Sequence, residues 1–429
     1  MPTSPFTSDA KMSSYWWETT PLSKTPVAPL SGSADVVIIG GGFTGLNAAL
    51  QIARGGRHVV VCDAEAMGWG CSTRNGGQIS TSIKPDLEAL AKRHGAATAH
   101  RILQDGRDSL AWMGQFIAEE GIDCQFDIVG RFHAAHSNAA FRKLAGSLDK
   151  DALKEAHVVS RAEQRQEIGT DGYFGGVVFE KHASIDPGRY HAGLLDRVIA
   201  AGAEISAHTK VTAITKEGSG FCVHTARGQI KARDVVLATN GYSGPLSTWH
   251  RRRIIPIGSY MIATEALPTE LMDEVIPKNR IVSDSRKVVY YYRRSPDRRR
   301  ILFGGRVSQA EVGPAISGPV LFDEMVRLFP QLASARISHS WMGFVGYTFD
   351  TLAHTGTQDG VYYAMGYCGS GVGMASYLGM RTGQRVLGLP VGETGLGETK
   401  FPTRPYYFGK PWFLAPAVSI FRLRDRIGL

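Results

Sequence analysis

Asp35-Val36-Val37-Ile38-Ile39-Gly40-Gly41-Gly42-Phe43-Thr44-Gly45 decides how this chain folds. The four β-branched residues form a continuous apolar run, the pattern of a parallel strand buried on both faces. Gly40, Gly42 and Gly45 then fit G-x-G-x-x-G. Beyond them Leu46, Ala49, Leu50 and Ala53 recur at i, i+3, i+4 and i+7, one apolar face of a helix that Gly55-Gly56 ends. His58 to Cys62 predicts a second strand finishing at Asp63. Each part has a task in holding a dinucleotide. Gly40 permits the tight turn, Gly42 lets backbone approach a pyrophosphate, and Gly45 lets helix and strand pack closely. The N–H groups at the helix start, around Phe43 and Thr44, face the phosphates. Asp63, followed by Ala64, is placed to accept hydrogen bonds from a ribose.

This fingerprint alone does not choose between nicotinamide and flavin cofactors, but three later segments favour FAD. Gly68-Trp69-Gly70-Cys71-Ser72-Thr73-Arg74-Asn75-Gly76-Gly77-Gln78 supplies a second polar, glycine-rich loop, suited to the ribityl and ring portions of a longer cofactor. Lys210-Val211-Thr212-Ala213-Ile214 and Phe221 to Thr225 predict short strands. They lead to a buried strand ending in Ala238-Thr239-Asn240-Gly241-Tyr242, which returns against the dinucleotide. Asp359 to Gly366 predicts another strand, followed by Tyr367-Cys368-Gly369-Ser370-Gly371-Val372-Gly373-Met374. A helix starting there aims N–H groups at the electron-rich end of a reduced flavin ring.

The order of these segments resembles the FAD-dependent D-amino-acid oxidase, glycine oxidase and sarcosine oxidase superfamily. Three stretches resemble its γ-glutamylputrescine oxidoreductase-like branch more closely. They are Arg74 to Gln78, Ser295-Pro296-Asp297 with Leu302-Phe303-Gly304-Gly305, and Gly366 to Val372. The resemblance runs from about Ala34 through nearly the whole chain. It implies an α/β fold in which a Rossmann-type FAD-binding domain, on a parallel sheet, is interleaved with an α+β substrate domain on an antiparallel sheet. Residues 31–85, 155–255 and 345–400 would form the first, and 86–154 and 256–344 the second, with extensions at 1–30 and 401–429. Asp86 to Glu120 reads as largely helical, and Lys287 to Arg294 with Ile301 to Gly305 as a hairpin across Ser295-Pro296-Asp297.

The resemblance also implies oxidation of a C–N single bond in a small amine or amino acid. A hydride passes from the carbon beside nitrogen to flavin N5, and the imine hydrolyses to an aldehyde or ketone. Such chemistry needs no catalytic triad, and none stands out. An aromatic, low-dielectric pocket keeps the amine neutral; Tyr260, Trp341 and Tyr367 are the candidates to line it, with Phe344 and the Tyr290-Tyr291-Tyr292 run. Alternation puts Tyr290 and Tyr292 on one strand face and Tyr291 on the other. Lys287 is the candidate to activate dioxygen, with an exposed strand-end lysine as the plainer alternative. Glycine and D-amino-acid oxidases carry a Gly-x-Arg-Pro segment whose Arg clamps the substrate carboxylate. The matching stretch here is Gly343-Phe344-Val345-Gly346, with Val345 in the Arg position. That favours an amine of γ-glutamylputrescine type, or another primary or secondary amine, over an acid held instead by Arg74, Arg293 or Arg306. The alternative is an amino-acid oxidase or dehydrogenase of D-amino-acid, sarcosine or pipecolate type. The acceptor is dioxygen or a membrane quinone. Cys71 and Cys368, both in flavin loops, leave a covalent thioether as the minor alternative to non-covalent FAD.

Composition sets the outer limits. The 429 residues are 43% hydrophobic, enough for a large core, and no apolar run approaches the ~20 residues of a membrane span. The first thirty residues are polar and Pro-rich, unlike a secretory signal. Five scattered cysteines, never C-x-x-C, suit a reducing cytoplasm and predict neither a disulfide framework nor a zinc site. His133 and His136 would point to opposite faces of a strand, so no metal is expected there. The net charge of +9 gathers in clusters such as Arg251-Arg252-Arg253 and Arg298-Arg299-Arg300, which suit solvated turns better than a nucleic-acid surface. The tail from Tyr406 to Arg426 is aromatic and then basic; it reads as a packed extension, with peripheral membrane contact as the alternative.

Overall fold

A computed structural model describes residues 4–23, 29–148, 155–306, 308 and 310–428. Parts of the expected N-terminal extension (1–3 and 24–28) and the 149–154 end of the first substrate segment lie outside the described residues.

The fingerprint strand Ser33–Ile39 lies between two parallel neighbours, Gly228–Leu237 and Val59–Cys62, and Glu204–Ser206 extends the parallel set. Its period-2 alternation divides the core. Val36 and Ile38 pack beneath helices, while Val37 and Ile39 pack on the other face with Val223, Ile230 and Tyr363. The same sheet continues through the meander Val211–Glu217, Gly220–Thr225 and Gly228–Leu237, and through Val361–Met365, which pairs with both Gly228–Leu237 and His354–Gln358. Among the described residues the sheet has eight strands.

The fingerprint helix Phe43–Arg54 crosses the helix Gly371–Val386 at close range because small residues meet there. A Cβ on Gly379 would overlap the Thr44 carbonyl oxygen, and one on Gly383 would come within 2.8 Å of the Ala48 carbonyl oxygen. The expected helix over Asp86 to Glu120 is two helices, Leu87–His94 and Ala96–Glu119. Gly95, at φ +82°, separates them in a backbone state that glycine tolerates.

A second sheet, nine-stranded among the described residues, runs Phe6–Lys11, Ile337–Tyr347, Ile255–Thr264, Ile301–Gly305, Tyr291–Arg294, Ile281–Asp284, Arg131–Ala134, Gly176–Phe179, Ala156–Val159. It is mostly antiparallel, with parallel pairing of Phe6–Lys11 to Ile337–Tyr347 and of Ile281–Asp284 to Arg131–Ala134. The expected hairpin is present, with Tyr291 opposite Gly304 and Arg294 opposite Ile301; its first strand begins at Tyr291 rather than Lys287. Phe132, Tyr260, Ile262, Tyr292 and Phe303 fill one face, under the helices Thr269–Val275 and Pro314–Leu328.

Three assignments of segments to domains change. Ala156–Val159 and Gly176–Phe179, inside the block expected to be FAD-binding, join the second sheet. Ala96–Glu119, inside the block expected to be substrate domain, packs on Gly371–Val386 in the first core, because Ile102, Leu110, Met113 and Phe116 form its apolar face. The N-terminal extension supplies the edge strand Phe6–Lys11. No described helix is long and apolar enough to cross a membrane.

Gly379→Ala should destabilise the protein by about 1–3 kcal/mol, because the methyl forces the two helices apart. Gly146, inside the helix Asn138–Leu148 with open space around it, is the control. Gly146→Ala should raise stability by roughly 0.5–1 kcal/mol through helix propensity. Thermal unfolding of the two variants checks for opposite signs.

Candidate active site

A cavity of about 2780 Å³ opens between the two sheets. That is well above the roughly 300–1,000 Å³ of a usual single-ligand pocket, so it has room for a long cofactor and a substrate together.

At one end lies the fingerprint turn. Gly40, at φ +111°, donates its N–H to the Cys62 carbonyl at 2.8 Å, and a Cβ there would stand 2.8 Å from the Ala238 carbonyl oxygen. A Cβ on Gly42 would meet Ser72 Oγ at 2.7 Å. Ser72 Oγ instead accepts the Phe43 N–H at 3.0 Å, tying the second loop to the helix start. Asp63 uses one oxygen for the Gly41 N–H (2.7 Å) and the other for the Glu65 N–H (2.9 Å). A carboxylate has about four acceptor sites, so Asp63 keeps capacity for a ribose. Burial holds its pKa above the ordinary range.

The second loop is braced from outside. Asn75 Nδ2 donates to the Cys71 and Ser72 carbonyls, and its Oδ1 accepts the Gly77 N–H. The N-terminal segment then locks the loop: Ser14 Oγ donates to the Thr73 carbonyl, Trp16 Nε1 to the Asn75 carbonyl and Trp17 Nε1 to Thr73 Oγ1, all within 2.8 Å. Gln78 Nε2 reaches the Tyr292 carbonyl at 3.0 Å, joining the loop to the second sheet. These residues fit a flavin dinucleotide: a helix start stripped of Cβ atoms, an acid at the ribose end and a braced polar loop along one long cleft.

Toward the ring end, Tyr367 Oη donates to the Ala364 carbonyl at 2.9 Å and bonds Thr44 Oγ1 at 2.6 Å. Ser370 precedes the helix Gly371–Val386, and its hydroxyl donates to the Ser82 carbonyl at 3.4 Å. Cys71 and Cys368 are both pushed up to about 11, chiefly by burial, so both stay thiols at neutral pH.

Most of the expected cofactor residues line this cavity. Gly45, Gly77, Gly241 and Gly373 stand behind the wall. A Cβ on Gly45 would overlap the Gly40 carbonyl oxygen, which is the close packing its position called for. Of the four catalytic candidates, Tyr367 and Lys287 line the cavity. Lys287 sits in an exposed loop rather than a strand.

Tyr260 and Trp341 do not line it. Strand alternation sends Tyr260 into the second core, where its Oη donates to Glu311 at 2.7 Å, while Ile257 and Ser259 face the cavity. Trp341 is sealed beneath Tyr15 and Trp16, with Nε1 donating to the Arg74 carbonyl at 3.0 Å. Tyr291 lines the cavity and Tyr290 and Tyr292 do not; its Oη bonds Ser259 Oγ at 2.8 Å.

Of the three alternative arginines, Arg74 and Arg306 line the cavity and Arg293 does not, and each has partners in the protein. Arg293 Nη1 donates to the Gly77 and Ile185 carbonyls, both at 2.8 Å. Arg306 bonds the Gly258 carbonyl and Glu311. Arg74 lies over the rings of Trp69 and Trp17. The sequence reading missed Arg131, Lys84 and Tyr347, all in the wall. The alternation of Arg131-Phe132-His133-Ala134 was the available signal for the first.

The terminal helix Leu414–Arg426 closes one side, with Leu414, Val418 and Phe421 turned inward. Asp425 anchors it by accepting the backbone N–H groups of Lys287 (2.8 Å) and Val288 (3.0 Å). His133 and His136 bond separate serines, Ser283 and Ser285.

Comparison with known proteins agrees with this geometry. The family described as FAD dependent oxidoreductase matches residues 35–385. A probable oxidoreductase OrdL of Rhizobium meliloti is 31% identical, over 96% of this chain and 97% of its own. The γ-glutamylputrescine oxidoreductase of Escherichia coli is 29% identical, over 92% and 94%. Among solved structures, glycine oxidase from Geobacillus kaustophilus superposes with a TM-score of 0.68 at 18% identity, covering 88% of this chain and 99% of that one.

Purified protein should be yellow, and Gly42→Trp should leave it colourless by filling the space of the pyrophosphate. With both thiols protonated, heat or acid should release the flavin into the supernatant. Flavin that co-precipitates with the wild type but not with Cys71→Ala or Cys368→Ala would reveal a thioether.

Proposed function

The chain belongs to the FAD dependent oxidoreductase family and acts on C–N groups of amines or amino acids; within that class we propose that its substrate is a small primary or secondary amine of γ-glutamylputrescine type. The observation that carries this reading is Val345. It lines the cavity opposite Ile257, where the resembled oxidases present an arginine to a carboxylate. Arg293, Arg306 and Arg74 are already engaged by carbonyls, an acid and indole rings, which supports an amine over an acid held by one of them. The relative named for γ-glutamylputrescine supports the amine side.

Bound along the cleft, FAD supplies the two-electron acceptor for C–N oxidation, and water hydrolyses the imine product. The protein's share is placement and exclusion of solvent. Ile257 and Val345 make the substrate wall apolar, which favours the neutral amine that can be oxidised. Burial pushes the Tyr347 phenol up to about 12 and the Tyr291 phenol higher still, so neither is a base at neutral pH. They act as walls, and the amine sheds its proton to water.

Dioxygen is the acceptor in this reading, and the setting is the cytoplasm. One observation favours a membrane quinone instead. Ile420 and Leu423 on the helix that closes the cavity, and Phe408, Trp412 and Ile427 flanking it in sequence, are all more than half exposed. Reoxidation rates by dioxygen and by a short-chain quinone separate the two acceptors.

Mixed anaerobically, free or γ-glutamylated amines should bleach the flavin at least about tenfold faster than glycine, D-alanine or sarcosine, since an unpaired buried carboxylate costs several kcal/mol. Val345→Arg should narrow that gap. Rapid reduction by a simple α-amino acid, abolished in Arg74→Ala, would mean that the carboxylate clamp has moved and that the enzyme is an amino-acid oxidase.

A further inference from the structure

We propose that Arg131, with Lys84 beside it, forms an anion subsite that receives a carboxylate carried by the substrate far from its reacting nitrogen. The proposal rests on the amine reading above and specifies the substrate's other end. Alternation in Arg131–Ala134 sends Phe132 and Ala134 into the second core and turns Arg131 and His133 to the cavity. The Arg131 guanidinium lies 4.7 Å over the Phe179 ring, and among the described residues its hydrogen bond runs from Nη2 to Ser82 Oγ at 3.1 Å. Its Nε is shielded from solvent and has no acceptor among the described residues.

Three other arginines of the second sheet and its connections meet acids. Arg280 meets Glu167 and Glu180, Arg286 meets Asp284, and Arg294 meets Asp273 with two carbonyls. Arg131 has a neutral hydroxyl. Desolvation, and after it the neighbouring cations Arg131 and Lys287, holds the Lys84 ammonium below the ordinary lysine range. Arg131 itself is lowered to about 10 by burial alone, with no carboxylate facing it among the described residues. The imidazoles alongside add no charge, since burial and Arg131 push His133 down to about 3 and His182 to about 2.

A guanidinium partly withdrawn from water, with a lysine beside it at the cavity mouth and no counter-ion among the described residues, is costly. A ligand carboxylate removes that cost and matches the planar guanidinium fork. The sheet sets the distance. Arg131–Ala134 lies two strands from Tyr291–Arg294 and five from the Val345 strand. With strands about 4.8 Å apart, the nearer separation is on the order of 10 Å. An extended chain covers that in roughly nine bonds. The subsite is therefore too far to hold the α-carboxylate of an amine that reacts beside Tyr291, and it fits an amine whose opposite end is an acid.

The test uses flavin-loaded full-length protein and two matched probes, N-glutarylputrescine and its terminal carboxamide. Anaerobic flavin reduction should favour the acid, with the preference in apparent Kd rather than in the limiting rate. Arg131→Met should cut the acid-to-carboxamide ratio of kcat/KM at least about tenfold, with Arg131→Lys recovering part of it. N-butylglutaramate keeps the acid but lacks the reacting amine, so it reports binding alone through the flavin absorbance; its Kd should weaken about tenfold in Arg131→Met. Should that variant fail to fold, Arg131→Lys and Lys84→Met carry the same comparison. An unchanged ratio with unchanged Kd overturns the subsite. So does an equal loss for both probes with a shifted flavin potential, which would place the charge at the ring instead. If neither amine reduces the wild-type flavin, the amine function fails, and the N-butylglutaramate titration still decides the subsite.

Discussion

The closeness of one helix to one strand governs the remainder of the structure. Phe43–Arg54 can sit against Ser33–Ile39 because Gly45 has no side chain to strike the Gly40 carbonyl, and Gly379 presses on the helix's other side at Thr44. Pinned between two backbones, the helix start cannot swing. Its N–H groups therefore hold a fixed aim at the cavity, where preorganised dipoles are most effective. The second loop depends on this placement through Ser72, and the N-terminal segment depends on the second loop through Thr73 and Asn75.

The second sheet works differently. Its apolar face is buried under helices, and its opposite face is left to line the cavity. Period-2 alternation thus sorts residues into packing and chemistry without any break in the strands. Ser259 and Tyr260 are neighbours in sequence, yet one meets the substrate space and the other meets Glu311. The same rule separates Tyr291 from Tyr292 and Arg131 from Phe132.

This explains what was legible in the chain itself. The fingerprint, its flanking strands, the returning strand and the hairpin at Ser295-Pro296-Asp297 are local patterns, and the structure contains each of them. Alternation showed which tyrosines share a face but not which face would be open. Tyr260 and Trp341 were chosen as aromatics in the right segments, and tertiary cover, from the helices in one case and Trp16 in the other, removed them from the cavity. Ala156–Val159 and Gly176–Phe179 carry no mark of their partner sheet, because pairing across long separations is written in no short window. Arg131 was passed over because an arginine in a short strand looks solvated until its missing partner is seen.

The edge strand Phe6–Lys11 pairs with Ile337–Tyr347, and Thr7 bonds a carbonyl 330 residues away. On a ribosome adding roughly 5–20 residues each second, that partner emerges on the order of 15–65 s later. Throughout that interval Trp16 lacks Met261, Leu302 and Trp341, the sheet residues that will cover it. The fingerprint's own neighbours, Gly228–Leu237 and Gly371–Val386, arrive late as well. Birth of this enzyme is thus a prolonged exposure of apolar N-terminal residues before the fold can close over them.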